Sequence, residues 1–600
     1  MIPHGVGKGD LTLNGTFDMA GFSQSLNGLS GSGTVENTVG GSSILTVGND
    51  NDITTFSGTI ANSSGSVALT KVGSGTFTLT GGNSHSGGTT NSAGTLRLGS
   101  ATALGTGAIT LSGGKLTSVG STPRTIANNL VVTANSSLGD AADNGRLTFS
   151  GTVDLTGLQR DLTINSDVFW TGSVLPGGAI GKYGPATLYL QGATADFNTD
   201  TTTKDGAIVI DNAAITQSAG AFRVNADTLL ARLVLTNGGS LVIPSTRLRV
   251  GYSNGSALAT NIVDIAGTLD LQAANGDNGK VRMGDKALRA IVNLRTNGLL
   301  RIRGFDPGPN ATEVSFDGGT LQANAGPDAN VFMQGLTVAS VRARGAIVDT
   351  AEQSIRIGQA LLGGGGNGGL VVLGYGRLSL NGTNTYTGST VVSNGTLGGN
   401  GVISGPVLVT AGSELSPGNS VGTLTVSNTV TLAANATCTM ELNRANVQLC
   451  DKLVANTINA SGPLVVANIG GTLLSGDSFD LFDATTLSLS FSSVTLPPLL
   501  TGLSWNTNQL AVNGTIQVTG TAVPPQISSA VLSGTDLVMS GSGGIADTKY
   551  YVLASTNVAL PLTSWTSIAT NPFDGIGNFS FTSTVADPGT PQRFFKLQLP

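Results

Sequence analysis

Apolar and polar residues alternate along nearly the whole chain, in short runs broken by glycine, asparagine and aspartate. TFTLT at 76–80 and RLSLN at 377–381 are examples, and LTFSGTVDLTG, ATLYLQG, LLARLVLTNGGSLVI, NIVDIAGTLDLQA and AIVNLRTNGLLRIRG continue the pattern between them. A period of two marks a strand with one buried face. No 3.6-residue stripe runs longer than two turns. Strands at short, even spacing with no helix between them suit a coil whose rungs stack through parallel hydrogen bonds. The predicted fold is all-β: a long right-handed parallel β-helix, or solenoid, followed by a small C-terminal β-sandwich. With rungs of roughly 20 to 25 residues stacked at ~4.8 Å, the coil would be on the order of 90 Å long.

One stretch is built twice. Leu69–Leu96, LTKVGSGTFTLTGGNSHSGGTTNSAGTL, returns without a gap at Leu370–Leu397 as LVVLGYGRLSLNGTNTYTGSTVVSNGTL. Gly73, Gly75, Leu79, Gly81, Asn83, Gly87, Thr89, Gly94, Thr95 and Leu96 recur as Gly374, Gly376, Leu380, Gly382, Asn384, Gly388, Thr390, Gly395, Thr396 and Leu397. Glycines and apolar residues kept at fixed offsets mean one backbone shape made twice. GGNSHSGG and GTNTYTGS read as turns, because their residues tolerate positive φ or bond their own backbone. A two-stranded piece cannot bury its apolar face alone, whereas a stack of them makes a continuous core.

These residues resemble the passenger-associated transport repeat, also called the autotransporter-associated β-strand repeat, with the pattern KxGxGxLxLxGxNxYxGxTxxxxGxL. The first copy departs from it at His85, where the pattern has an aromatic, and the second at Val372, where the first copy has Lys71. Asn14–Val35 and Phe56–Ile60 resemble the stretches before such repeats, and Glu414–Val426 resembles the stretch after them. The resemblance implies an exported bacterial β-helix protein and says little about activity. A self-transporting protein of this kind would end in a membrane β-barrel of many ~10-residue amphipathic strands. No such series is read here, so self-transport is not carried over.

Composition agrees with this outline. Glycine is 87 of 600 residues, charged residues are only 11%, and hydrophobics reach 39%, so disorder is a poor reading. A net charge of −6 predicts no general attraction to nucleic acid or anionic membrane. No apolar run reaches the ~18 residues of a membrane span. The opening MIPHGVGKGDLTLNG lacks a basic n-region and an apolar h-region. It reads as the interior of a rung, so the export signal is expected upstream; an unusual cytoplasmic protein is the alternative. Cys438 and Cys450 flank a predicted turn; a disulfide and two inert thiols are both open, and the spacing does not suit zinc.

Residues 1–442 are expected to form the coil, with repeats at about 69–98 and 370–397. GQALLGGGGNGG at 358–369 reads as a loop. Residues 443–518 are a β-rich continuation or cap, 519–525 (TGTAVPP) a linker, and 526–600 the β-sandwich module. The module's aromatics, Tyr550, Tyr551, Trp565, Phe573, Phe579, Phe581, Phe594 and Phe595, read as core rather than a carbohydrate platform.

Candidate chemistry is sparse. His85 reads as a turn residue; no Ser/His/Asp triad can be argued from it. Asn49, Asp50, Asn51 and Asp52, and separately Asn275, Asp277 and Asn278, carry oxygens that suit Ca²⁺, but plain turn chemistry is the simpler reading. No metal or cofactor is expected. The strongest anomaly is basic: Arg223, Arg232, Arg247, Arg249, Lys280, Arg282, Lys286, Arg289, Arg295, Arg301 and Arg303 are over a third of the chain's 29 Lys and Arg. RLR at 247–249, RIR at 301–303 and RAR at 342–344 each pair two arginines on one strand face. If the rungs align, Arg247, Arg249, Arg301, Arg303, Arg342 and Arg344 would form a stripe able to take glycan carboxylates or sulfates. The plainer reading is a solvated face neutralised by Asp264, Asp270, Asp285 and Asp317.

The function expected is therefore a non-enzymatic stalk, structural or adhesive, at the cell surface or outside the cell. It would be a monomer whose partners are extracellular polysaccharide or other surface proteins, with no nucleic acid. Binding of anionic polysaccharide through the arginine stripe is the alternative. A β-helical polysaccharide lyase or hydrolase comes third, because no spacing identifies a site and β-helices host many functions.

Overall fold

The computed structural model describes residues 2–6, 8–252, 256–327, 331–520, 524–545, 547–584 and 592–599. The chain divides into two compact units, Met1–Leu370 and Val371–Pro600. It is an all-β protein with almost no helix, and its parallel β-solenoid makes about 19 turns in all. No described helix is long and apolar enough to cross a membrane.

In the first unit every face of the coil is a parallel sheet whose neighbours are successive rungs. The period-two pattern explains the register. Ile208, Leu233, Val263, Val292, Val314 and Ala339 stack as direct partners, and all are buried. Residues one place along point outward instead, as with Val209, Val234, Asp264, Asn293, Ser315 and Ser340. A one-residue slip on any rung would turn its apolar set to solvent, so the pattern sets the register.

The first repeat makes two stacked turns. Leu69 in strand Ser66–Lys71 lies over Thr89, and Phe77 in Thr76–Leu79 lies over Leu96. Gly73 turns the chain between the first two strands at φ 68°, a conformation that side chains with a Cβ disfavour. The matching Gly374 has φ 96°. Lys71, at an inward position and fully buried, closes this turn. Its Nζ donates to the carbonyls of Val72 (2.5 Å), Gly73 (2.9 Å) and Ala93 (3.3 Å).

A turn between the two copies repeats the lysine contact of the first. In Lys182–Gly192, KYGPATLYLQG, Lys182 is again fully buried. Its Nζ donates to Gly184 (2.5 Å) and to Asp205 one rung on (2.7 Å). Gly184 takes the place of Gly73, with φ 79°. Ala186 stands where the motif has its second glycine, which hides the match. Of the stretch read as a loop, Leu361–Gly363 is a strand paired with Val338–Val341.

In the second unit parallel pairing runs past residue 442. Thr423–Leu432, Lys452–Ala460 and Phe482–Leu489 stack in order, as do Thr437–Asn443, Pro463–Gly470 and Ser493–Thr495. An antiparallel sheet of Ser478–Asp480, Thr515–Gly520 and Leu503–Asn506 comes next, with one short helix, Leu510–Asn513. Of the expected linker, residues 521–523 lie outside the described residues. Two short three-stranded antiparallel sheets stand where the β-sandwich was expected: Gln526–Ser533, Asp536–Ser542 and Phe579–Thr584, and Thr566–Pro572, Lys549–Ser555 and Phe594–Gln598. Met539, Tyr550, Val552, Phe573, Phe579 and Phe581 form a shared core, so these aromatics pack inside.

Candidate functional site

The six singled-out arginines do not make one row, because the coil turns between their strands. Arg249 lies on one sheet, in register between Arg223 and Arg282, with Asp306 next. Arg301 lies on another, between Asp270 and Gln322, with Asp349 beyond. Arg342 and Arg344 come just after strand Val338–Val341 on a third.

Most of their charge is spent locally. Asp264 is 5% exposed and takes Arg232 on Oδ2 (2.6 Å) and Arg295 (2.8 Å) and Asn293 (3.0 Å) on Oδ1. Burial pushes its carboxyl up, but these hydrogen bonds outweigh that and hold it below the usual range. Asp270 accepts from Arg301 at 2.7 Å, Asp285 and Asp306 hold Arg282, and Asp317 takes Arg344 at 3.1 Å. Arg289 meets Glu313 through two bonds of 2.8 Å. Arg247 sits 3.7 Å from both Asp277 and Asp306. Arg303 donates to the carbonyls of Gly276, Asn278 and Gly326, and Arg342 to Ser315 Oγ. The four carboxylates that the plainer reading names each hold an arginine. Arg249 differs: its guanidinium lies 4.2 Å from the centroid of the Tyr252 ring, with Arg223 5.6 Å from the same ring, and no ion pair to it appears among the described residues.

The other candidates resolve into structure. His85 is fully buried and its Nε2 bonds Thr89 Oγ1 at 2.9 Å. Since Thr89 already donates to the Leu104 carbonyl, Nε2 carries the proton. Burial lowers the ring's pKa, which keeps it neutral. Tyr386 makes the equivalent bond to Thr390 Oγ1 at 2.6 Å, so histidine replaces tyrosine with the same partner. Asp50 and Asp52 approach Asp10, a residue the sequence did not single out, with carboxylate oxygens within 4.8 Å of one another. Burial and then its two neighbours raise Asp10. Asp277 instead faces Arg247 and Lys280.

Cys438 and Cys450 are free and buried, and burial pushes the Cys450 thiol up to about 12, so both are poor nucleophiles. Beside them Asp451, fully buried, accepts the backbone N–H groups of Gly422 (2.9 Å) and Glu441 (2.8 Å). Burial raises its carboxyl to about 7. No pattern marks Asp451 in the sequence, since its partners are backbone groups 10 and 29 residues away.

Comparison with curated proteins finds no match to this chain. The passenger-associated-transport-repeat model does match, at residues 69–98 and 370–398, and the chain carries two copies of that repeat.

Proposed function

We propose that this is an exported protein of the cell surface or the extracellular space, whose β-solenoid is a non-enzymatic stalk with a structural or adhesive role. The carrying observation is how the repeats use their ionisable and polar groups. Lys71, His85 and Tyr386 are fully buried and bonded within the coil. Such residues fix the coil's own turns rather than meet a substrate. A passenger-like β-helix fits the repeats and the parallel solenoid, and its partners would be extracellular polysaccharide or other surface proteins. The two C-terminal sheets, with their common core, would form the β-sandwich module that the stalk carries.

Binding of anionic polysaccharide is the second reading. It is favoured by one observation, the in-register column Arg223, Arg249 and Arg282 with Tyr252. Like charges on neighbouring strands repel, and a polyanion would relieve Arg249. Protease shaving of intact cells that produce the full-length protein tests the first reading: loss of the protein from shaved cells supports it, and survival until lysis refutes it. Electrophoresis through gels containing polygalacturonate, with the polymer checked for shortening, tests the second. Retardation lost at high salt supports arginine binding, and shortened chains would make the protein an enzyme.

A further inference from the structure

On the sheet that carries the arginine column, three earlier rungs present two outward positions each. Asn135, Asp161 and Gly181 stand in one column, and Ser137, Thr163 and Tyr183 in the next. A shallow cavity of about 430 Å³ lies over them, lined by Gly113, Asn135, Ser137, Asp161, Thr163 and Tyr183. We infer that this groove binds a neutral, hydroxyl-rich glycan chain, which rests on the exported-protein reading and gives its polysaccharide partner a site.

Four features carry the inference. First, the volume falls within the range of small-molecule sites, about 300–1,000 Å³, while the lining is almost wholly polar. An apolar ligand would gain little here; a sugar, with donors and acceptors around its ring, matches hydroxyls and an amide. Second, the outward hydroxyls here are not tied to each other across rungs, unlike the pairs Ser112–Thr133 (2.6 Å) and Ser173–Thr194 (3.0 Å). Those of Ser137, Thr163 and Tyr183 have no partner among the described residues, nor does Asp161 Oδ1. They are open to a ligand.

Third, Gly181 lies inside strand Ala179–Tyr183 without the positive φ that would require glycine. A glycine in a strand interior costs stability and often marks a close approach. Here a Cβ would lie 2.0 Å from Asp161 Oδ1 and 3.3 Å from Tyr183 Cε2. The missing side chain seats the carboxylate, which Asn135 holds through Oδ2 at 3.3 Å. Fourth, the one ionised group in the lining is Asp161. It disfavours a polyanion, and it is too few ligands for Ca²⁺, which takes six to eight oxygens. A carboxylate can accept two adjacent sugar hydroxyls at once. Tyr183 brings an aromatic ring to the lining, and a ring face suits the C–H side of a pyranose. The pair Phe169 and Tyr189, on another sheet, does not serve: their rings stack at 4.1 Å, and Arg146 lies over Phe169.

The test is affinity electrophoresis of the full chain through gels containing dextran, galactomannan or hydroxyethyl cellulose, with polygalacturonate as the anionic comparison. Retardation by at least one neutral polymer, unchanged at high salt, is expected. Asp161→Ala should weaken it about tenfold or more, as loss of a charged hydrogen-bond acceptor does. Gly181→Val should weaken it too, by displacing the carboxylate, while leaving the melting temperature unchanged or higher because valine favours strands. The inference is overturned if no neutral polymer retards the protein, if only polygalacturonate does, or if both variants bind like the native chain.

Discussion

Lys71 and Lys182 make the solenoid's stability depend on alkaline pH in a way that can be worked out. Both side chains are fully buried. Burial lowers Lys71 to about 8, and lowers Lys182 to about 7 even though Asp205 and Asp167 pull the other way. In the unfolded chain a lysine titrates near 10.4. Between these values the unfolded state holds a proton that the folded state has released, so stability rises with pH and levels off above about 10. From pH 7 to pH 9, Lys71 contributes about 1.3 kcal/mol and Lys182 about 2.3 kcal/mol. Asp451, raised to about 7, works against them but costs less than about 1 kcal/mol over that window.

The perturbation is Lys71→Met with Lys182→Met, which keeps an unbranched chain in each site. It removes the donors to Gly73, Ala93, Gly184 and Asp205, so its effect at a single pH mixes lost hydrogen bonds with relief of a buried charge. Only the pH slope separates the two. Urea unfolding at pH 7, 8 and 9 measures it, and amide exchange in Thr89–Asn91 and Thr201–Thr203 localises it, since stacked repeats need not unfold together. The native protein should gain about 3 kcal/mol from pH 7 to 9, and the double variant should lose that gain. Equal slopes in the two proteins would refute the reasoning, because both ammonium groups would then be solvated.

Asp451→Asn tests the opposite sign. The folded pKa of Asp451 lies above its unfolded value, so its contribution is full below about pH 4 and falls by about 1.4 kcal/mol per pH unit towards pH 7. Urea midpoints at pH 5 and 7 should show that fall in the native protein and a flatter profile in the variant. Tyr386→Phe should cost about 1–3 kcal/mol, because it leaves the buried Thr390 hydroxyl unbonded; urea unfolding at pH 7 checks this. Asp264→Ala together with Asp270→Ala should free Arg232, Arg295 and Arg301, and the variant should be retarded in polygalacturonate gels more strongly than the native chain at low salt and equally at high salt. Dithionitrobenzoate should leave Cys438 and Cys450 unreacted in native buffer and label both in denaturant.

The alternation of apolar and polar residues and the spacing of glycines were enough, by themselves, to determine the all-β class, the parallel stacking and the two repeat copies. Those are local properties: period two sets which face is buried, and a glycine at Gly73 or Gly374 sets where the chain can turn. The turn role of His85 was legible for the same reason, since its counterpart Tyr386 stands at the same place in the second copy. What lay beyond the sequence depends on residues one or more rungs apart. Rung lengths vary, so RLR, RIR and RAR carry no sign of which sheet each reaches, and only the register separates them. The sequence named Asp264, Asp270, Asp285 and Asp317 as neutralising acids; Asp285 meets Arg282 three residues away, but the pairing of the other three with their arginines is a matter of stacking. The likeness of the Lys182 turn to the Lys71 turn stayed hidden because Ala186 breaks the glycine pattern while the buried Lys182 keeps the contact. Asp451 and the groove beside Gly181 were not legible at all. Their groups are brought together by turns of the coil, whose cross-sheet neighbours leave no mark in linear spacing.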